Sequence, residues 1–333
     1  MTKYNVLVLT DHRGHSDQNS IYSLINEMKI HKQCNYIDIA SRGLEINEGF
    51  FSNMEADKLF GVRIGTDFQY TDGGTYYNKG LKQLYLAEYD VIFMRLPRPV
   101  SDEWLMWLDI NKGNAVIVNN PKGIIKTSSK EYLLSIPEVC PTIKKINSVE
   151  DAIDFSIMHP IVLKPLREYG GKGVVKIDGN KIFEGDEAFD RDSYLKRIEE
   201  AITIDGYIGM KYLKNVSQGD KRILVVGGEI MAASLRLPRE GSWLCNVSQG
   251  GQTVPTDITS EERYIIETIS PKLVQEGILI YGADTLVDDD GKRVLSEINT
   301  LSIGGFPQAQ AQSGKPIINQ TIDKIFEYAN DNK

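Results

Sequence analysis

The sequence predicts an α/β protein whose first third is built on a parallel sheet. Two patterns predict it: strands alternate with helices up to Asn120-Pro121, and beyond that point short apolar runs pair across glycine-rich or acidic turns. Residues 4–10 are β-branched and apolar, the signature of a buried strand, and Ile21, Leu24, Ile25 and Met28 then recur at helical spacing. Further strands are expected at 90–94 and 115–118, bracketing a helix capped by Ser101 whose Trp104, Leu105 and Leu108 share one face. Between residues 44 and 80 the periodicity fades and Gly, Asn, Asp and Tyr accumulate, so a long loop or irregular insertion is expected there.

The middle of the chain reads as a hairpin, residues 161–164 and 174–177, closed over the glycine-rich stretch 169–173. A helix near 193–201 follows, then strands near 207–213 and 222–226, with Gly227-Gly228 turning into a strand at 229–235. A helix over 261–276 precedes strands at 278–287 and 293–298, joined by Asp288-Asp289-Asp290-Gly291. No internal repeat is visible. Three subdomains are expected: 1–121, 122–204 and 205–333.

Composition narrows the function classes. With 333 residues, 41% apolar and 25% charged, the chain has the make-up of a globular protein. Its 46 acidic and 38 basic residues give a net charge of −8, which argues against nucleic acid or anionic membrane as a partner. No run reaches the roughly 18 apolar residues that span a bilayer, so a cytoplasmic chain is expected. Cys34, Cys140 and Cys245 form no CxxC pair and read as isolated thiols. The four histidines form no HExxH motif.

Three constellations are able to carry chemistry. Glu297 and Asn299 lie two apart on one predicted strand and so share a face; Asp284, on the strand before, neighbours them if the two pair antiparallel. Such hard oxygen ligands suit Mg²⁺, although the same residues also occur as solvated strand positions. Lys164-Pro165 precedes the loop Gly170-Gly171-Lys172-Gly173, whose backbone is able to approach a phosphate; most loops with three glycines are merely turns. Arg222 opens a strand and Arg236 closes its hairpin partner, so both guanidiniums reach one end of the sheet, although isolated arginines are more often surface charges. Neither a Walker A motif nor a dinucleotide GxGxxG is present.

Taken in order, these pieces resemble the ATP-grasp ligases, and most closely the bacterial glutathione synthetase family. The stretches FMRLPRP (93–99), NNPKG (119–123), VLKPLREYGGKGV (162–174), KYLKNVSQGDKRILVVGGE (211–229), LRLPREG (235–241), GAD (282–284) and LSEINTLS (295–302) carry the likeness over nearly the whole chain. The resemblance implies an ATP-grasp fold behind an N-terminal parallel-sheet domain, and a C–N ligase that activates a carboxylate as an acyl phosphate. It implies that Lys130 and Lys164 hold the phosphates of ATP, that Gly170, Gly171 and Gly173 form a closing lid, and that Lys211, Tyr212 and Leu213 meet the adenine beside Asp220. One or two Mg²⁺, with Mn²⁺ admissible in their place, fall to Asp284, Glu297 and Asn299, and Arg222 and Arg236 steady the transferring phosphoryl group. Arg95, Asn246 and Ser302 fall to the acid and amine substrates, and a homo-oligomer is implied.

Departures from the family fall on the acceptor side. Leu96-Pro97-Arg98-Pro99 stands where the family reads Lys-Asp-Pro-Pro, Leu244 replaces a usual arginine, and Thr300 to Gly305 differs from Val-Thr-Ser-Pro-Thr. The family pair γ-glutamylcysteine and glycine is expected. The alternatives are a related ligase that joins an amino acid to another peptide or acid, and a nucleotide-binding relative without turnover.

Overall fold

The first strand, β1 (Tyr4–Thr10), lies between β2 (Cys34–Ser41) and β5 (Val91–Arg95), parallel to both, and β6 (Val116–Val118) extends the sheet beyond β5. The structure is a computed structural model that describes residues 2–168, 170–238 and 252–333. The helix Ser20–Ile30 buries Ile21, Leu24, Ile25 and Met28 against this sheet, and the Asn19 side chain caps it at the backbone N–H of Ile21. Helix Asp102–Asn111 buries Trp104, Leu105 and Leu108 and is capped by Ser101, as its sequence predicts.

Residues 44–80 carry more regular structure than their sequence shows. A short helix, Glu48–Phe51, leads to β3 (Phe60–Arg63), which pairs antiparallel with β2; β4 (Lys82–Gln83) pairs with β3. Strands of four and two residues are too short to display an alternation. β3 is held instead to the end of β2 by the buried Asn47 side chain, which donates to the carbonyls of Ser41 and Phe60 and accepts from Phe60 N–H.

The second sheet is wholly antiparallel, in the order β11 (Glu187–Asp190), β10 (Lys181–Glu184), β9 (Val175–Asp178), β8 (Ile161–Pro165), β12 (Tyr207–Lys211), β7 (Ile143–Ile146). The expected hairpin is β8 with β9. The helix expected at 193–201 is two helices, Arg191–Arg197 and Glu199–Ile204, broken at Ile198, whose backbone leaves the helical region. β12 lies past residue 204 yet pairs with both β8 and β7, so this sheet draws on residues from 143 to 211.

The third sheet runs β15 (Gln252–Pro255), β14 (Glu229–Leu237), β13 (Asp220–Val226), β16 (Ile280–Val287), β17 (Arg293–Asn299), again antiparallel. Helix Ser260–Gln275 starts on a capping box in which Thr259 and Glu262 satisfy each other's backbone N–H groups. Buried Glu262 then reaches Lys221 Nζ at 2.8 Å and accepts from Thr285 Oγ1 at 2.8 Å, fixing this helix to β13 and β16. The helix Ile317–Asp331 returns to the first sheet: Phe326 stacks on His31 with ring centroids 4.5 Å apart, and Tyr4 Oη donates to Asn330 Oδ1 at 2.6 Å.

Asn119 joins the first and third sheets. Its Oδ1 accepts from the N–H groups of Leu279 (2.9 Å) and Ile280 (2.8 Å), and its Nδ2 donates to the carbonyls of Ile280 (2.6 Å) and Thr300 (2.8 Å). All four bonds are buried, so removing the amide orphans backbone groups that water cannot reach. Asn119→Ala is therefore expected to lower unfolding free energy by about 2–4 kcal/mol, read from urea denaturation; a loss within about 0.5 kcal/mol would remove Asn119 from this role.

Candidate functional site

A cleft opens between the second and third sheets, and its two ends differ in chemistry. One end is apolar, walled by Val162, Val174, Met210, Leu213 and Leu286; the other holds Lys130, Lys164, Asp220 and Glu297. Strand geometry accounts for the division. Val162 and Lys164 are two apart on β8 and face the same side, so the strand carries an apolar position first and a cation at its end.

The cations sit close to both sheets. Lys164 Nζ donates to the Ser296 carbonyl of β17 at 3.3 Å, crossing the cleft, and buried Lys130 donates to the Glu168 carbonyl. Burial lowers both lysines below the ordinary value, with Glu297 pulling the other way. Gly170, Gly171 and Gly173 all adopt left-handed φ, of 69°, 83° and 66°, which favours glycine. Gly170 and Gly171 line the cleft, whereas Gly173 faces Pro165, where a Cβ would come within 2.9 Å of the ring. At the apolar end, Lys211 pairs with Asp289 at 2.9 Å, tying β12 to the turn between β16 and β17, and Lys176 Nζ stands 4.8 Å from the Tyr212 ring centroid.

Beside the cleft, the third sheet gathers its charges by register. Arg222 of β13 lies opposite Asp284 of β16, Asp284 lies opposite Glu297 of β17, and Asp220 lies opposite Arg236 of β14. Arg222 Nε and Nη2 reach the two Asp284 oxygens at 2.5 and 2.6 Å, a bidentate pair; Arg236 Nη2 reaches Asp284 Oδ2 at 2.9 Å and also Asp220 Oδ2. Asn299 Nδ2 approaches Asp284 Oδ2 at 3.3 Å. Burial alone would raise the Asp284 carboxyl, but the two guanidiniums hold it well below the usual carboxylate range. Burial and the Asp284 charge push Asp220 the other way, up to about 7, and its Oδ1 is buried with no hydrogen-bond partner. Among the described residues no three His, Cys, Asp or Glu side chains gather into a metal cage. Both Asp284 oxygens are held by Arg222 and Arg236, and Asn299 turns its Nδ2 toward them, so of the three expected ligands only Glu297 lines the cleft and a hard cation would have to share Asp284 with the guanidiniums.

The structure thus brings Lys130, Lys164, Gly170, Gly171, Lys211, Tyr212, Leu213, Asp220 and Glu297 to one cleft, with Arg222, Arg236, Asp284 and Asn299 linked behind its polar end. Arg95 and Ser302 are elsewhere, at a crevice on the carboxyl ends of β1 and β5, together with His15. Asn246, Leu244 and Cys245 lie outside the described residues. The apolar wall escaped sequence reasoning, because Val162, Met210 and Leu286 are ordinary strand residues until the opposing sheet shows that they face a cleft. Cys34 and Cys140 are free thiols raised by burial.

Two antiparallel sheets gripping a cleft between them, behind a parallel-sheet domain, define the class of the protein. The ATP-grasp ligase of Chryseobacterium gregarium, solved with ADP and a leader and core peptide, superimposes with a TM-score of 0.63 at 13% identity over 98% of this chain and 97% of that one. D-alanyl-alanine synthetase A of Vibrio cholerae gives 0.61 at 14% identity over 99% of both chains. Within that class, residues 129–314 match the ATP-grasp domain model of prokaryotic glutathione synthetase. The glutathione synthetase of Gloeobacter violaceus is 32% identical over 257 residues, 73% of this chain and 74% of that protein, and the enzyme of Neisseria meningitidis is 25% identical over 256 residues, 74% and 76%. The chain belongs to the prokaryotic glutathione synthetase family and is an ATP-dependent ligase. No described helix is long and apolar enough to cross a membrane.

His15 gives the site region a pH signature. Its ring lies 3.2 Å from Thr10 Oγ1 and 3.1 Å from the Tyr22 hydroxyl; burial, then His12 and Arg95, push it down to about 4, with only Asp11 opposing. A depressed folded-state pKa means that stability is fully present above the unfolded value near 6.5 and is lost as pH falls from there through about 4. The loss amounts to at most about 3 kcal/mol. Replacing His15 by Gln should flatten the melting temperature between pH 6.5 and 4 relative to the parent; parallel curves would show that His15 does not titrate in that window.

Proposed function

We propose that this chain joins a carboxylate to an amine with ATP, and that γ-glutamylcysteine and glycine are its pair, giving glutathione, ADP and phosphate. The observation that carries the reading is the two-ended cleft. An apolar slot for a base leads to two enclosed lysines, with carboxylates converging from the facing sheet. Family membership supports the choice of acid and amine.

In this reading the acid's carboxylate oxygen attacks the γ-phosphorus and ADP leaves; the amine nitrogen then attacks the acyl carbon, phosphate departs and the amine gives up a proton. Lys130 and Lys164 lie where water screens them little, so their charge acts strongly on the phosphate oxygens. The backbone of Gly170 and Gly171 approaches the phosphates and, as a lid, keeps water from an acyl phosphate that hydrolyses readily. Arg222 and Arg236 arrive already oriented by Asp284, so their donors need little reorganisation to meet developing charge. A divalent ion, Mg²⁺ or Mn²⁺, would be held by Asp284, Glu297 and Asn299 and would supply neutralising charge to the phosphates.

A second reading keeps the chemistry and changes the substrates. It is favoured by Ile303, Gly304 and Gly305, a departure from the family pattern that borders the Arg95 crevice. Product analysis by mass spectrometry, with ATP, γ-glutamylcysteine and glycine and then with other acids, separates the two; absence of glutathione alongside ADP release from another pair would replace the first by the second.

The roles are testable singly. Lys164→Ala should weaken ATP binding by about 10- to 100-fold, measured calorimetrically; an unaltered affinity would remove it from the phosphates. Glu297→Gln should lower kcat by about 100-fold or more while the melting temperature stays within a few degrees; undiminished turnover would exclude it from the metal site.

A further inference from the structure

The connection from β5 to helix Asp102–Asn111 carries an arginine to which the resemblance gives no role, for Arg98 stands where the family reads proline. Its backbone is clamped from both sides. Arg42 donates to the carbonyl before it, Pro97 at 2.9 Å, and to the carbonyl after it, Pro99 at 2.5 Å, while Asp11 holds the same guanidinium at 3.0 Å. A loop fixed on both sides of a half-buried arginine presents that side chain from one place.

The far end of the connection is docked beside the cleft. Asp102 pairs with Arg167 at 2.7 Å, in the segment that leads from β8 into the glycine-rich loop. Both neighbours of Arg167 belong to Lys130, whose main-chain N–H donates to the Leu166 carbonyl at 3.1 Å and whose Nζ donates to the Glu168 carbonyl. Pro97 meanwhile lines the crevice at the carboxyl ends of β1 and β5. The connection thus runs from that crevice to the polar end of the cleft, with Arg98 between the two. Its charge is felt there. Burial lowers the Lys130 ammonium, Glu297 and Glu168 oppose, and the like charges of Lys164 and Arg98 lower it further. Of the nearby acids, Asp220 is held by Arg236, Glu168 is exposed, and Glu297 goes to the divalent ion in the function proposed above. Three cations gathered where water screens them little repel one another, and an anion with several oxygens offsets that cost.

We propose that Arg98 is a phosphate-contacting residue supplied by the parallel-sheet domain: its guanidinium meets the γ-phosphoryl group of ATP, joining Lys130 and Lys164 from the side of the crevice. The assignment rests on the ligase reading above and deepens it. Arg98 adds no bond to the reaction. Its planar fork neutralises charge on the oxygens of the γ-phosphoryl group while the acid's carboxylate oxygen attacks the phosphorus and ADP leaves. The domain that does not bind the nucleotide base thereby takes part in phosphoryl transfer, through a side chain that proline at the same position does not offer.

The test is a set of calorimetric titrations, with Mg²⁺ present, of ADP and of AMPPNP, an ATP analogue with a nitrogen between its last two phosphorus atoms, into the full-length parent and Arg98→Gln. Loss of a contact made only to the γ-phosphoryl group should weaken AMPPNP about 10-fold and leave ADP within about twofold. The ADP titration also reports that the variant is folded. Unaltered AMPPNP affinity in Arg98→Gln overturns the proposal. So does an equal loss on both nucleotides, which is what a structural role or a diffuse charge effect would give. A parent that binds neither nucleotide removes the ligase reading and the proposal together, whereas a parent that binds both, matched by Arg98→Gln, removes the proposal alone.

Discussion

The third sheet depends on Asp284. At 2% exposure its carboxylate has almost no water, and neither it nor Arg222 and Arg236 would be tolerated in that position alone. Each arginine comes from a different strand, and Arg236 also holds Asp220, so one acid fixes the relative placement of β13, β14 and β16. The polar end of the cleft inherits its geometry from that placement. Glu297 lies directly opposite Asp284 on β17, and a bulge there leaves Ser296 as the extra residue whose carbonyl meets Lys164 from the other sheet. The charges that hold the third sheet together are thus the same ones to which the proposed function gives chemical roles.

The two ends of the cleft are therefore built by different means. Charge register makes the polar end, and the apolar end is made by strand faces that turn toward each other only when the two sheets come together. Lys211 with Asp289 closes the apolar end across the sheets, as Lys164 with Ser296 does the polar one. In the function proposed above, a ligand with a flat apolar ring and a chain of phosphates would span both.

Much of this was legible in the sequence because it rests on local rules. Helix Ser20–Ile30 shows its buried face in its helical spacing, helix Asp102–Asn111 shows its cap at Ser101, and Gly227-Gly228 sets the hairpin that brings Asp220 opposite Arg236. Asp284, Glu297 and Asn299 follow from strand alternation across a short acidic turn. What stayed hidden is tertiary. β10 and β11 are four-residue strands at one margin of the second sheet with mostly exposed or half-buried side chains, so no apolar period marks them. β3 exists because Asn47, thirteen residues away, holds it. The resemblance singles out Arg95, but its burial beside the Ile303 carbonyl is visible only once β5 and the segment after β17 are brought together.

The contact between Tyr4 and Asn330 spans 326 residues, and the helix Ile317–Asp331 covers a face of the sheet on which Val6 and Val8 are fully buried. During synthesis the part of that face that helix Ser20–Ile30 leaves uncovered stays open until the C-terminal helix has left the ribosome, long after the strands beneath it have emerged. Helix Ser20–Ile30 covers its share of the face early, and the share that belongs to the distal helix is the last of this sheet to be closed.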